Sequence, residues 1–210
     1  MTEGSIQSQL QYLREEEKLA RDVYLTLYQR WELRIFDNIA GAEQRHMDRI
    51  GAVLAARQIP DPVTDDSVGV FQDASLGALY QELVQRGSNS ALDALRVGAQ
   101  IEDLDLRDLD LLRGRVQEQD RDQDVLAAVD ALACGSRNHL RAFARQLTNR
   151  GATYAPRYIA AERYASILAT EHERCGRGHG GGGRGHGRGP GGGGHGRGGG
   201  GHGRGDCTQM

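Results

Sequence analysis

Cysteines are few in this chain, and the three present make no pattern. Cys134, Cys175 and Cys207 are odd in number and form no Cys-x-x-Cys, so no disulfide framework is expected. Long apolar runs are missing too. No uninterrupted stretch approaches the roughly 20 residues that span a bilayer, and no membrane partner is expected. The N-terminal Met1-Thr2-Glu3-Gly4-Ser5 has neither a basic region nor an apolar one, which reads as no secretory leader and a cytoplasmic protein. Sustained period-two alternation is absent and β-branched residues are sparse. That excludes a sheet-built core and leaves the all-α class.

Glycine is abundant but confined. Residues 176–205 contain 20 Gly, 5 Arg, 4 His and 1 Pro, a composition that buries too little apolar area to offset its ordering entropy. The chain therefore divides into a domain over 1–175 and a tail over 176–210 that is expected to be disordered. Without residues 176–210 the domain carries 21 Lys and Arg against 28 Asp and Glu, a net charge of −7, while the tail's arginines make it basic. The near-neutral balance of the whole chain conceals an acidic body with a basic arm.

Within the domain the apolar positions recur in steps of three and four. Leu10, Leu13, Ala20, Tyr24, Leu27 and Trp31 predict a first helix over Ile6–Trp31. Asp37 is a candidate N-cap for a second helix ending at Arg57, before Pro60 and Pro62. A polar loop, Asp61–Asp73, precedes a short helix over Leu76–Arg86, capped by Ser75 and stopped by Gly87. A third long helix opens at Ser88 or Ser90 and runs to about Leu112. After a charged turn over Gln117–Asp122, a fourth covers Gln123–Arg150, and a last short helix covers Tyr158–Glu173. Some thirty residues separate the second and third long helices, too many for a hairpin. A four-helix bundle with one long crossover fits that connection.

Each of the four long helices places an ionisable side chain on its apolar line: Glu17, then Glu43 with His46, then Glu102, then His139. A buried charge is costly unless it is paired or holds a metal. Glu43 and His46, three residues apart, project to the same side of one helix and can reach one ion. Asp105 lies one turn beyond Glu102. Glu15 and Glu16 point away from the apolar line, and Asp103, Asp108 and Asp110 fall off theirs and are expected in solvent. Plainer readings exist for each residue. Glu17 can pair with Arg21 on a solvated face, Glu43 and His46 can lie on a surface helix, and His139 can be a satisfied core histidine. Tyr24, two turns along from Glu17, is either a hydrogen-bond donor behind the site or a packed core residue, and packing is the favoured reading. Cys134 reads as a small buried hydrophobe. Six residues nonetheless form a coherent set as ligands: Glu17, Glu43, His46, Glu102, Asp105 and His139. Carboxylates and imidazoles without thiolate suit Fe, Mn or Zn.

Four segments carry a resemblance to a known family: Glu-Glu-Glu-Lys-Leu-Ala-Arg-Asp-Val-Tyr (15–24), Ala-Glu-Gln-Arg-His-Met-Asp (42–48), Gly-Ala-Gln-Ile-Glu-Asp-Leu-Asp (98–105) and Gly-Ser-Arg-Asn-His-Leu-Arg-Ala-Phe (135–143). In this order, across about residues 7–170, the chain resembles the ferritin-like superfamily, and more closely its bacterial and archaeal branch called domain of unknown function 2202. The resemblance implies a ferritin-like bundle holding two divalent metal ions, most readily iron, with Mn or Zn as alternatives. It implies a Glu on helix one, Glu-x-x-His on helix two, a Glu on helix three and Glu-x-x-His on helix four. Ser136 stands where the last motif has its Glu, and a hydroxyl does not replace a bridging carboxylate. Asp105 is the residue placed to supply that charge; the alternative is a mononuclear or asymmetric site.

The activity so implied is a di-iron oxidoreductase or ferroxidase acting with O2 or peroxide; the other reading is a metal-binding or buffering protein without catalysis. No rubredoxin-like pair of Cys-x-x-Cys motifs is present to relay electrons. Bundles of this kind often form homodimers. In the tail, His179, His186, His195 and His202 recur among Gly and Arg and can collect metal loosely. Five Arg without aromatics make a poor nucleic-acid arm, and a linker with no function is an equal reading.

Overall fold

A computed structural model of the chain describes residues 5–119 and 122–175. Among them are six helices and no strand: α1 (Ile6–Trp31), α2 (Arg34–Ala56), α3 (Ala74–Gly87), α4 (Ala91–Gln119), α5 (Gln123–Thr148) and α6 (Ala161–Ala169). The tail histidines His179, His186, His195 and His202 lie outside the described residues, as does Cys207. No helix is long and apolar enough to cross a membrane among the described residues.

Local chemistry sets most helix ends. The Ser5 hydroxyl accepts from the Ser8 backbone N–H and opens α1, and Glu32 at φ 53° closes it. That turn reverses the chain so tightly that α2 begins at Arg34, ahead of the expected Asp37 cap. Asp37 instead occupies the first turn, where its charge favours the helix dipole. Asp73, rather than Ser75, caps α3, accepting from the Ser75 and Leu76 N–H groups. Asp122 caps α5 in the same way. Helix α4 extends past Leu112 because Val116 continues the buried line of Leu109 and Leu112. The last helix is shorter than the periodicity implied, because the backbone before it is committed elsewhere. Asp103 accepts from the N–H groups of Arg157, Tyr158 and Ile159 and from the Tyr154 hydroxyl.

Helix α1 packs most extensively on α2, and α4 on α5; α1 also meets α4, and α2 meets α5. The apolar core draws on these four long helices and on Leu76, Tyr80 and Leu83 of α3. Helix α3 covers α1 and α4, and α6 rests on α5. Mid-helix glycine is costly, about 1 kcal/mol relative to Ala, and Gly98 shows what it permits. A Cβ on Gly98 would stand 2.3 Å from the Phe143 ring, which lies between Tyr24 and Phe36 in a cluster of tilted aromatics.

Asp103 and Asp108, expected in solvent, are buried, and so are Glu15 and Glu16, which lie off the apolar line of α1. The α2–α3 loop covers Glu15 and the segment before α6 covers Asp103, whereas Glu16 and Asp108 meet each other where α1 packs on α4. Glu15 accepts from the Gln72 and Asp73 N–H groups. Lys18, fully buried, donates to Asp22 at 2.6 Å and to the Ser67 carbonyl at 2.7 Å. Asp22 also accepts from Arg21 and from the Gly69 N–H. The charged half of the 15–24 segment thus fastens the loop. Asp110 alone of these acids stays exposed, paired with Arg163.

The cysteines depart from expectation as well. Cys134 on α5 and Cys175 form a disulfide, with Cα atoms 5.6 Å apart. The segment after α6 folds back over α5: Glu173 pairs with Arg137 and Arg141, and the Asn138 amide donates to the Glu173 carbonyl. A contact across 41 residues of sequence leaves no local signal in cysteine spacing.

Candidate metal centre

The four helices bring the predicted residues together. Glu17 from α1, Glu43 and His46 from α2, Glu102 and Asp105 from α4, and His139 from α5 converge, with every carboxylate among them buried. The surface-helix reading of Glu43 therefore does not hold. Nor does the Glu17–Arg21 pairing, because Arg21 engages Asp22, Gln44 and Asp66 instead.

Glu43 is the centre of the arrangement. Its Oε2 lies 2.6 Å from His46 Nδ1 and its Oε1 lies 2.8 Å from His139 Nδ1. Glu17 Oε2 backs His46 at 3.2 Å, and Glu102 Oε2 backs His139 at 3.4 Å. Two donor sets result, Glu17–Glu43–His46 and Glu43–Glu102–His139, each with ligand atoms within 4.8 Å of one another and with Glu43 common to both. The two imidazoles stack at 5.6 Å between centroids. Asp105 belongs to neither triad but accepts a hydrogen bond from Ser136 Oγ of α5.

The residues fit a pair of cations on three counts. Glu17 Oε1, Glu43 Oε1, Asp105 Oδ1 and His139 Nδ1 are buried without a hydrogen-bond partner; such atoms are costly to leave unsatisfied. His139 Nδ1 and Glu43 Oε1 are close yet misaligned for a hydrogen bond, as donors around a shared ion would be. A cavity of about 10 Å³, bordered by Glu16, Glu17, Glu43, Glu102 and Asp105, lies among the carboxylates, near the size of one water.

Protons compensate the charges crowded together here. Burial pushes the Glu17 carboxyl up to about 7 against the opposing pull of His46. Burial and the nearby Glu43 raise Glu102, and burial with the Glu17 and Glu102 charges raises Asp105 well above the usual range. Burial would raise Glu43 too, but the His139 and His46 charges on either side hold it well below. Burial opposes charge on His139, yet Glu43 and Glu102 bring its pKa up to about 10. Glu43 and Glu17 raise His46 in the same way. Such perturbed groups cluster at functional sites.

Surrounding residues hold the ligands. The Tyr24 hydroxyl donates to Glu102 Oε1 at 2.6 Å while its ring packs in the aromatic cluster, so both readings of Tyr24 apply. Gly135 was not singled out from the sequence: a Cβ there would stand 2.5 Å from His46 Nε2, so the glycine lets the imidazole lie against α5. Its signal was a glycine inside an otherwise well-formed helix. Glu16 was missed as well. It is buried beside Asp108 and Asp105, neither oxygen has a partner, and burial first and those acids second raise its pKa well above the usual range. A cleft of about 650 Å³ between α5 and the segment after α6 reaches His139 and is bordered by Arg141, Arg145 and His172.

Comparison with known proteins places these residues in a family context. The family described as an uncharacterized protein domain, DUF2202, matches residues 7–171. Uncharacterized protein MJ0754 of Methanocaldococcus jannaschii is 49% identical over 162 residues, 77% of this chain and 85% of its own. The crystal structure of that hypothetical protein aligns with a TM-score of 0.76 at 48% identity, covering 80% of this chain and 93% of the other.

Proposed function

The chain belongs to the DUF2202 family, and on that premise we propose that its four long helices are a ferritin-like bundle binding two divalent metal ions, as a carboxylate/His oxidoreductase or ferroxidase. Iron is the favoured metal, with Mn or Zn as alternatives. The observation that carries the reading is Glu43, whose two oxygens each face one imidazole Nδ1 while Glu17 and Glu102 flank the pair. On this reading Glu17 with His46 would hold one ion, Glu102 with His139 would hold the other, and Glu43 is placed to serve both. Asp105, hydrogen-bonded by Ser136, would supply the fourth carboxylate, so that two divalent ions would be matched by four negative charges. Such a cluster is neutral enough to remain buried. Bound iron would supply redox chemistry toward O2 or peroxide. The Tyr24 hydroxyl holds Glu102 in orientation, the Gly135 backbone sets the His46 ring, and the cleft at His139 is the route by which small reactants enter.

The test is elemental analysis of protein purified without a metal column, for the full chain and for a chain ending after Cys175, which keeps the disulfide. About two ions per shortened chain, lost in Glu43→Ala, are expected. Metal content unchanged in Glu43→Ala would refute the centre. Metal present only in the full chain would move binding to the tail. A non-catalytic buffering protein would hold the same ions but show no absorption change when its Fe(II) form meets O2.

A further inference from the structure

On the other side of α4 lies a second cleft whose chemistry is opposite to the acidic centre. It has a volume of about 360 Å³ and is bordered by Arg86 from α3, Asp93, Arg96 and Gln100 from α4, and Thr153 and Arg157 from the segment before α6. Three guanidinium groups and one carboxylate line it, in a domain whose own net charge is negative.

The guanidinium groups are held in an unusual way. Arg86 Nη2 donates to Gln100 Oε1 at 2.5 Å, and Arg157 Nη1 donates to the same oxygen at 3.3 Å. Gln100 is buried, and its amide nitrogen donates to the Tyr158 hydroxyl, which sets the oxygen toward the two arginines. Two like charges thus meet on one neutral acceptor. Neighbouring carboxylates offset them only in part. Arg157 makes no ion pair among the described residues; Arg86 reaches the exposed Glu82 at 3.4 Å, and its charge also acts on Asp93, which is itself bonded to Ser90 and Arg96 at the start of α4. Juxtaposed like charges are unfavourable without a shared counter-ion, and an arginine fork presents paired N–H donors suited to phosphate oxygens.

We infer that this cleft binds a small phosphate-bearing anion, either a phosphomonoester or a diphosphate, gripped between Arg86 and Arg157 with Arg96 at the rim. Gln100 positions the two arginines, and the Thr153 side chain borders the opening. The volume exceeds that of one phosphate group, so a diphosphate or a phosphorylated small molecule fills it better than the inorganic ion. The site is separate from the metal centre and stands whether or not metal binds there.

The test is calorimetric titration of the full chain with inorganic pyrophosphate, inorganic phosphate, glycerol phosphate and sulfate at fixed ionic strength. Wild type should bind pyrophosphate or glycerol phosphate at least tenfold more tightly than sulfate, and inorganic phosphate should rank below them. Arg157→Gln should weaken binding at least tenfold with an unchanged thermal transition, since that side chain is exposed and its one side-chain hydrogen bond is to Gln100. Arg163→Gln, which alters an arginine paired with Asp110 elsewhere, should leave affinity unchanged. Equal affinity in wild type and Arg157→Gln would assign any binding to the arginines of the tail or to the metal centre and overturn the proposal. So would an absence of binding to wild type, or indifference between phosphates and sulfate.

Discussion

The His46 imidazole rests against the α5 backbone at Gly135, so closely that a methyl group there would sit 2.5 Å from Nε2. A neighbour from α2 thus occupies the volume that any other residue at 135 would need, and the ring's position is dictated by a helix that contributes no atom to its own ligand set. Gly135→Ala should push His46 out of register with Glu17 and Glu43 while leaving helix content intact, because Ala is a good helix former. Metal affinity is expected to fall about 10- to 100-fold, the range seen when residues that orient ligands are altered. Chelator competition paired with circular dichroism checks this, and wild-type affinity in the variant would refute it.

Protons and cations compete for the centre, and the sign follows from the groups involved. In the metal-free protein His139 titrates at about 10, above its unfolded value near 6.5, so its contribution is fully present below about 6.5 and lost as pH rises through 10. Glu17, raised to about 7, holds its proton more tightly when folded; its contribution is present below about 4.3 and lost as pH rises through 7. Metal-free protein should therefore unfold more easily at pH 8 than at pH 5, whereas metal affinity should rise over the same interval as protons are released. Denaturant melts of chelated protein and a pH-stat during metal addition measure both. Affinity that is flat in pH would be incompatible with these assignments.

The Cys134–Cys175 bridge closes a loop of 41 residues. Chain-entropy reasoning assigns such a loop about 4 kcal/mol of stabilisation. Cys175→Ser should lower stability toward that figure and raise hydrogen exchange in residues 170–175, which border the cleft leading to His139. If exchange there stays at the wild-type rate, Glu173 and its arginine partners are sufficient to hold the segment without the bridge.

Lys18 is the one lysine in the sequence, and it is fully buried against Asp22. Lys18→Met keeps volume but leaves the Asp22 carboxylate with Arg21 and the Gly69 N–H alone. Breaking a buried pair typically costs about 3–5 kcal/mol. Urea unfolding should show a loss of that order, and limited proteolysis should cut first between residues 57 and 73. A variant as stable as wild type would mean that Arg21 carries the charge balance by itself.

The helices and the inward position of Glu17, Glu43, His46, Glu102 and His139 were legible in the sequence, because both follow from a local period of 3.6 residues. A carboxylate on an apolar line faces inward whichever helix packs there. The fate of acids off those lines was not legible. Each helix alone is solvated on the faces that carry Glu15 and Asp103, and segments arriving from some fifty positions away cover them; Asp108 is buried instead against Glu16 of α1.

By itself, then, the sequence determined which line of side chains on each helix faces the apolar core, since that depends only on helical geometry. Tertiary structure decided how they meet. It placed the two oxygens of Glu43 between two imidazoles, set Asp105 against Ser136, joined Cys134 to Cys175 and reserved Gly135 for a ring from another helix. Those outcomes depend on distances between segments remote in the chain, and periodicity along one helix carries no information about such distances.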